Sequence, residues 1–137
     1  MGGEITPTQA LAARVRELRE ARGLSQRVLG ERMVHLGYRW GDTIVSRVER
    51  SERDVTTAEL MGLSLALGAP PTAFLTADTP VTIGDYPLSV VMVNDWIKGR
   101  YALGLNPDGS GLTKIVSVGQ ALETSAATPI TRRRGAE

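Results

Sequence analysis

The chain has 137 residues, 42% of them hydrophobic, a formal net charge of +1 and no cysteine. That length suits one domain, or one small domain with an appendage, and the missing thiol excludes a disulfide framework, thiolate metal sites and cysteine nucleophiles. The N-terminus lacks a basic segment followed by an apolar core, and no run nears the roughly 18 apolar residues of a membrane span, so a soluble cytoplasmic protein with no membrane partner is expected.

The balance of charge is uninformative, but its distribution is not. Between residues 14 and 53 the basic residues are all arginine and exceed the acidic ones by four. Arginine is the side chain best suited to forked contacts with phosphate and guanine.

Thr8 can cap a first helix over about Gln9 to Arg22, in which Leu11, Val15 and Leu18 recur at helical spacing and Gly23 supplies the stop. Ser25 suits the N-cap of a second helix, with Val28, Leu29, Arg32 and Met33 defining its faces and Gly37 ending it. After a loop carrying Tyr38, Arg39 and Trp40, Gly41 or Asp42 opens a third helix. Its Ile44, Val45 and Val48 face inward while Thr43, Ser46, Arg47 and Arg50 face out. Thr56 and Glu59 have the spacing of a capping box before Leu60, Leu63, Leu65 and Leu67, and Gly68 closes that fourth helix. Pro70 to Leu75 reads as a short fifth helix with proline in its first turn, laying Phe74 and Leu75 onto the core.

Five short helices with brief connections make a mainly α unit over residues 8–77. The ARGLSQ entry (Ala21 to Gln26), the small Gly30 where two helices cross, the VSRVER run (Val45 to Arg50), the ELMGLSLALG helix and the PPTAFL end resemble the Xre-type, lambda-repressor-like helix-turn-helix family. The resemblance covers about half the chain. It departs at the turn, where the segment from Val34 to Gly41 is several residues longer than in most members. In this it is similar to a branch of actinobacteria and their phages that carries a tryptophan there. Trp40 is read either as a packing anchor or as a DNA contact.

The resemblance implies a transcriptional regulator, a repressor, that inserts helix three into the major groove of a double-stranded DNA operator. The groove admits one α-helix, held at a fixed angle by a second packed across it. Carried over by position, the base-contacting residues are Asp42, Thr43, Ser46 and Arg47; Asp42 has the rival reading of an N-cap. The phosphate-contacting candidates are Gln26, Arg27, Arg39, Arg50 and Arg53, any of which could instead be a solvated surface charge. Arg19 and Glu49 fall on the family's structural ion pair between helices one and three. The alternative from another class is a protein-interaction module such as an antitoxin or antirepressor.

Residues 78–119 read as a small α+β appendage. Thr79 to Asp85 suggests a short strand, and Leu88 to Lys98 an amphipathic helix ending at Gly99, with a strand as the rival because of Val90, Val91 and Val93. Tyr101 to Leu105 and Leu112 to Val118 flank NPDGSG as a hairpin. The appendage is a candidate dimerisation element, so a homodimer is a candidate partner beside simple packing within the chain. Residues 120–137 are polar and aperiodic and read as a disordered basic tail, with Arg132, Arg133 and Arg134 either an arm on DNA or a solvated terminus.

His35, the one histidine, has no second histidine to complete a ligand set, and no glycine loop has the form of a phosphate cradle. No enzyme activity, catalytic residue, metal, cofactor or small-molecule ligand is expected.

Overall fold

A proline spends no amide when it opens a helix, because that amide has no partner in the first turn. In the computed structural model, which describes residues 3–115 and 130–131, α1 accordingly begins at Pro7 and runs to Ala21. Thr8 therefore lies inside the first turn rather than capping it, and its hydroxyl donates to Asp54 Oδ1 at 3.3 Å. The chain forms two compact units, one over Thr8–Thr76 and one combining the residues up to Pro7 with those from Ala77 onward.

In the first unit, α2 spans Gln26–His35, α3 Asp42–Glu49 and α4 Thr57–Leu67, followed by a 3₁₀ turn over Pro71–Phe74. The Ser25 hydroxyl caps α2 by accepting from the Val28 amide. Gly37, at a φ of +107°, takes the chain out of α2 while the Tyr38 amide returns to the Met33 carbonyl at 3.0 Å, which absorbs an orphan acceptor of the helix end. Helix α2 thus includes Val34 and His35, and the connection to α3 is confined to Leu36–Gly41.

Helix α4 has a full capping box between Thr56 and Glu59, and Gly68 ends it in the left-handed region at a φ of +63°. Its last carbonyls are met by two arginines, Arg22 just after α1 and Arg32 on α2. Arg22 donates to Leu67 O and Gly68 O, and Arg32 to Ala66 O, each cation facing the negative end of the helix.

Val15, Leu29, Met33, Trp40, Val45, Val48, Leu63, Leu67 and Phe74 form one buried cluster. Phe74 is fully buried, whereas Leu75 is 41% exposed, because the tight 3₁₀ turn sends these neighbours to different sides.

In the second unit, β1 (Val81–Ile83) and β2 (Tyr86–Leu88) form an antiparallel hairpin, and Ile5 bridges in parallel to Val81. The strand at Tyr86–Leu88 shortens the helix expected from Leu88: a residue before proline is driven to extended backbone, and Pro87 does this to Tyr86. Helix α5 then spans Val90–Ile97, capped by Ser89, and the Asn94 side chain bonds both the amide and the carbonyl of Ala77. The helix prevails over the β-branched valines because the cap and the burial of Val93 favour it.

Strands β3 (Ala102–Leu105) and β4 (Gly111–Ile115) form the second hairpin around NPDGSG, and β5 (Ile130–Thr131) pairs with β4. The polar composition around β5 carried no signal of that pairing. The rest of the tail, Arg132 to Arg134 included, lies outside the described residues. Among the described residues no helix is long and apolar enough to cross a membrane.

Candidate nucleic-acid interface

Helix α3 is short, and its apolar side is carried by Val45 and Val48, both buried, with Ile44 partly buried beside them. Helical spacing then leaves Asp42, Thr43 and Arg47 exposed, with Ser46 only partly so. Asp42 is the first helical residue, and the N-cap is Gly41, which has no side chain to cap with, so the N-cap reading of Asp42 does not hold. Close approach of α2 to this helix start requires Gly30. A Cβ there would lie 3.0 Å from the Gly41 carbonyl carbon and 3.1 Å from its oxygen.

The far end of α3 is fixed by charge. Arg19 Nε donates to Glu49 Oε2 at 2.6 Å and Arg19 Nη2 to Oε1 at 3.0 Å, while Nη1 donates to Leu24 O at 2.8 Å. The hydrogen bond to Glu49, against the opposing effect of burial, raises the Arg19 pKa above its ordinary value. Gln26 Nε2 donates to the same Glu49 Oε1 at 3.0 Å, so one carboxylate joins α1, the start of α2 and the end of α3.

The arginine cluster separates by partner. Arg14 donates to Thr76 O, and Arg22 and Arg32 to carbonyls of α4, so these hold the fold together. Arg27 pairs with Glu31 at 2.7 Å and Arg50 with Glu52 at 3.2 Å, both on exposed surface where such pairs exchange readily with water or another anion. Arg53 is more firmly engaged: Nη2 donates to Glu59 Oε2 at 2.9 Å, and its guanidinium lies 5.2 Å from the centre of the Trp40 ring. Arg39 and Arg47 are exposed, and their guanidinium groups have no hydrogen bond or ion pair among the described residues.

The connection from α2 to α3 is docked on α4. Tyr38 lies over Gly62, where a Cβ would come within 2.8 Å of its ring, and its hydroxyl donates to Ala58 O at 2.8 Å. Trp40 is 2% exposed, and its Nε1 donates to Glu59 Oε2 at 2.9 Å. Burial alone would raise the Glu59 pKa, but hydrogen bonds from Arg53, the Thr56 amide and Trp40 outweigh it and hold the carboxyl down at about 2. Sequence spacing identified Glu59 only as a capping residue. Its bonds to Trp40 and Arg53 arise from tertiary packing that no local pattern reports. Among the described residues no group of histidines and acids could hold a metal ion.

Residues 10–75 match the model of a helix-turn-helix domain family. The chain is 31% identical to the restriction-modification controller protein C.AhdI from Aeromonas hydrophila, covering 49% of this chain and 90% of that one, with a TM-score of 0.44. It is 30% identical to the DNA-binding domain of BldD, covering 50% and 93%, with a TM-score of 0.44. Against the clp gene regulator ClgR from C. glutamicum the identity is 29%, the coverage 53% and 87%, and the TM-score 0.47. Among curated proteins, none matches. On the family match to residues 10–75 and 31% identity over nine-tenths of a small relative, the chain belongs to the Xre-like helix-turn-helix family.

Proposed function

We propose that the protein is a sequence-specific double-stranded DNA-binding transcriptional regulator, a repressor that occupies an operator overlapping a promoter. The observation that carries this reading is the display of Thr43 and Arg47 on the exposed face of α3, whose opposite face is buried and whose last residue is held by Arg19. The Arg47 guanidinium, with no partner among the described residues, is free to give two hydrogen bonds to guanine O6 and N7, and the Thr43 methyl to meet thymine. The names of the relatives, a controller protein, a DNA-binding domain and a gene regulator, point the same way.

In this reading Ser46 and Asp42 border the base-reading surface, Asp42 accepting from a cytosine amine. Gln26 and Arg27 at the start of α2, with Arg39 and Arg50, contact phosphate, where helix-end amides assist anion binding. Arg53, with its guanidinium committed to Glu59, acts chiefly by holding Trp40. A homodimer would bind a pseudo-palindrome by placing two α3 helices about 34 Å apart, one turn of DNA. The protein would then work in the cytoplasm on chromosomal or phage DNA.

Gel-shift titration of duplex DNA at several salt concentrations tests the function. The log-log slope should be steep, about −0.9 for each phosphate neutralised. Absence of duplex binding even at low salt overturns the reading in favour of a protein-interaction module.

A further inference from the structure

We propose that Glu59 is the positioning residue that sets how α3 is presented to DNA, because its one carboxylate holds the chain on both sides of that helix. This rests on the DNA-binding reading above and assigns the control of that surface to α4. Glu59 Oε2 accepts from Trp40 Nε1 at 2.9 Å, just before Gly41, the N-cap of α3. The same carboxylate accepts from Arg53 Nη2 at 2.9 Å and Nη1 at 3.3 Å, shortly after the helix ends at Glu49. Arg53 in turn lies over the Trp40 ring, which closes the triangle.

The arrangement does more than fill the core, because α3 does not fix its own entry. Its N-cap is a glycine with no side-chain bond, and the connection leading to it has a second glycine, Gly37, next to its first residue. Such a segment has wide backbone freedom. Tyr38 limits that freedom at Gly62 and Ala58, and Trp40 limits it at Glu59, one residue from the helix start. Glu59 is itself 8% exposed and anchored by the Thr56 amide at 2.9 Å, so its oxygens have fixed directions. A small rotation of a recognition helix misplaces every donor aimed at a base edge, whereas phosphate contacts tolerate it better.

The test uses the full chain, a duplex selected from a random library by the wild-type protein, and a random-sequence duplex of equal length. Glu59→Gln removes the charge that holds Arg53. Trp40→Phe keeps an aromatic ring while removing the indole donor together with part of the buried ring volume, and it decides the matter should Glu59→Gln fold poorly. Arg22→Met removes the bonds to Leu67 O and Gly68 O at the other end of α4, away from Trp40, Arg53 and Glu59, and serves as the control for general loosening.

At a temperature where circular dichroism shows each variant folded, Glu59→Gln and Trp40→Phe should lower the selected-to-random affinity ratio by about fivefold or more, while Arg22→Met leaves it unchanged. A wild-type ratio in Trp40→Phe, or equal losses on both duplexes in Glu59→Gln, overturns the proposal. Hydrogen exchange of the free proteins gives a reading that needs no DNA. The amides of α3 should exchange faster in Glu59→Gln and Trp40→Phe while those of α1 do not, and unchanged α3 protection overturns the proposal. Failure of the wild-type chain to select any duplex would instead count against the DNA-binding reading.

Discussion

Arg19 on α1 and Glu49 at the end of α3 meet as a two-pronged pair at 2.6 and 3.0 Å, with side chains only 11% and 4% exposed. Removing one partner leaves a buried charge without its counterion. Arg19→Met should therefore destabilise the fold by about 3–5 kcal/mol. Urea denaturation measures this, and a cost below about 1 kcal/mol, the ordinary value of a surface pair, would show that the pair does not hold α3 in place.

Glu59 makes stability depend on acidity in a defined window. Its carboxyl sits at about 2 in the folded protein against an ordinary 4.5, so the unfolded chain binds the proton more readily. The sign follows: the contribution, on the order of 3 kcal/mol, is fully present above pH 4.5 and is lost as pH falls through about 2. Glu59→Gln should be less stable than wild type at pH 7, and the gap between them should close between those two values. A gap independent of pH, followed by thermal unfolding, would contradict the assignment.

Gly30 should not accept a methyl group. The nearest atoms to an added Cβ are backbone atoms of Gly41 and Asp42 at 3.0 to 3.2 Å, which cannot rotate away as a side chain would. Gly30→Ala should cost about 1–3 kcal/mol by forcing α2 from the start of α3, although alanine is the better helix former. A stabilised Gly30→Ala in chemical denaturation would mean that the two helices part easily.

These helices were legible in the sequence because their signals are local. Ser25, Gly37, the Thr56–Glu59 box and Gly68 each act within a few residues, and α2 and α4 follow from them. The start of α1 was misplaced onto Thr8 because Pro7 initiates helices as readily as a hydroxyl caps them. The placement of Thr43 and Arg47 on the exposed side of α3 followed from the burial of Val45 and Val48. What the sequence hid is mostly distant in the chain: Tyr38 on Gly62, Trp40 on Glu59, and the arginines that close the end of α4, while Arg53 reaches Glu59 across a turn of six residues. A run of arginines looks uniform until each guanidinium has found its acceptor.

Under the proposed DNA-binding function, that sorting implies two kinds of arginine. Arg47→Ala should cost about 1–3 kcal/mol on a selected duplex and relax the preference at one base pair, while Arg27→Ala should weaken all sequences alike and reduce the salt slope by about one. Fluorescence anisotropy on selected and random duplexes distinguishes them. Equal losses for Arg47→Ala on both would place that side chain on the backbone alone.

The central claim, that the exposed face of α3 enters the major groove, is tested most directly by dimethyl sulfate footprinting on selected duplexes. Guanine N7 lies in the major groove and adenine N3 in the minor groove. Protection of guanine N7 within each bound site, lost at one position in Arg47→Ala, is the predicted result. Protection confined to adenine N3, or absent while the protein remains bound, would contradict it.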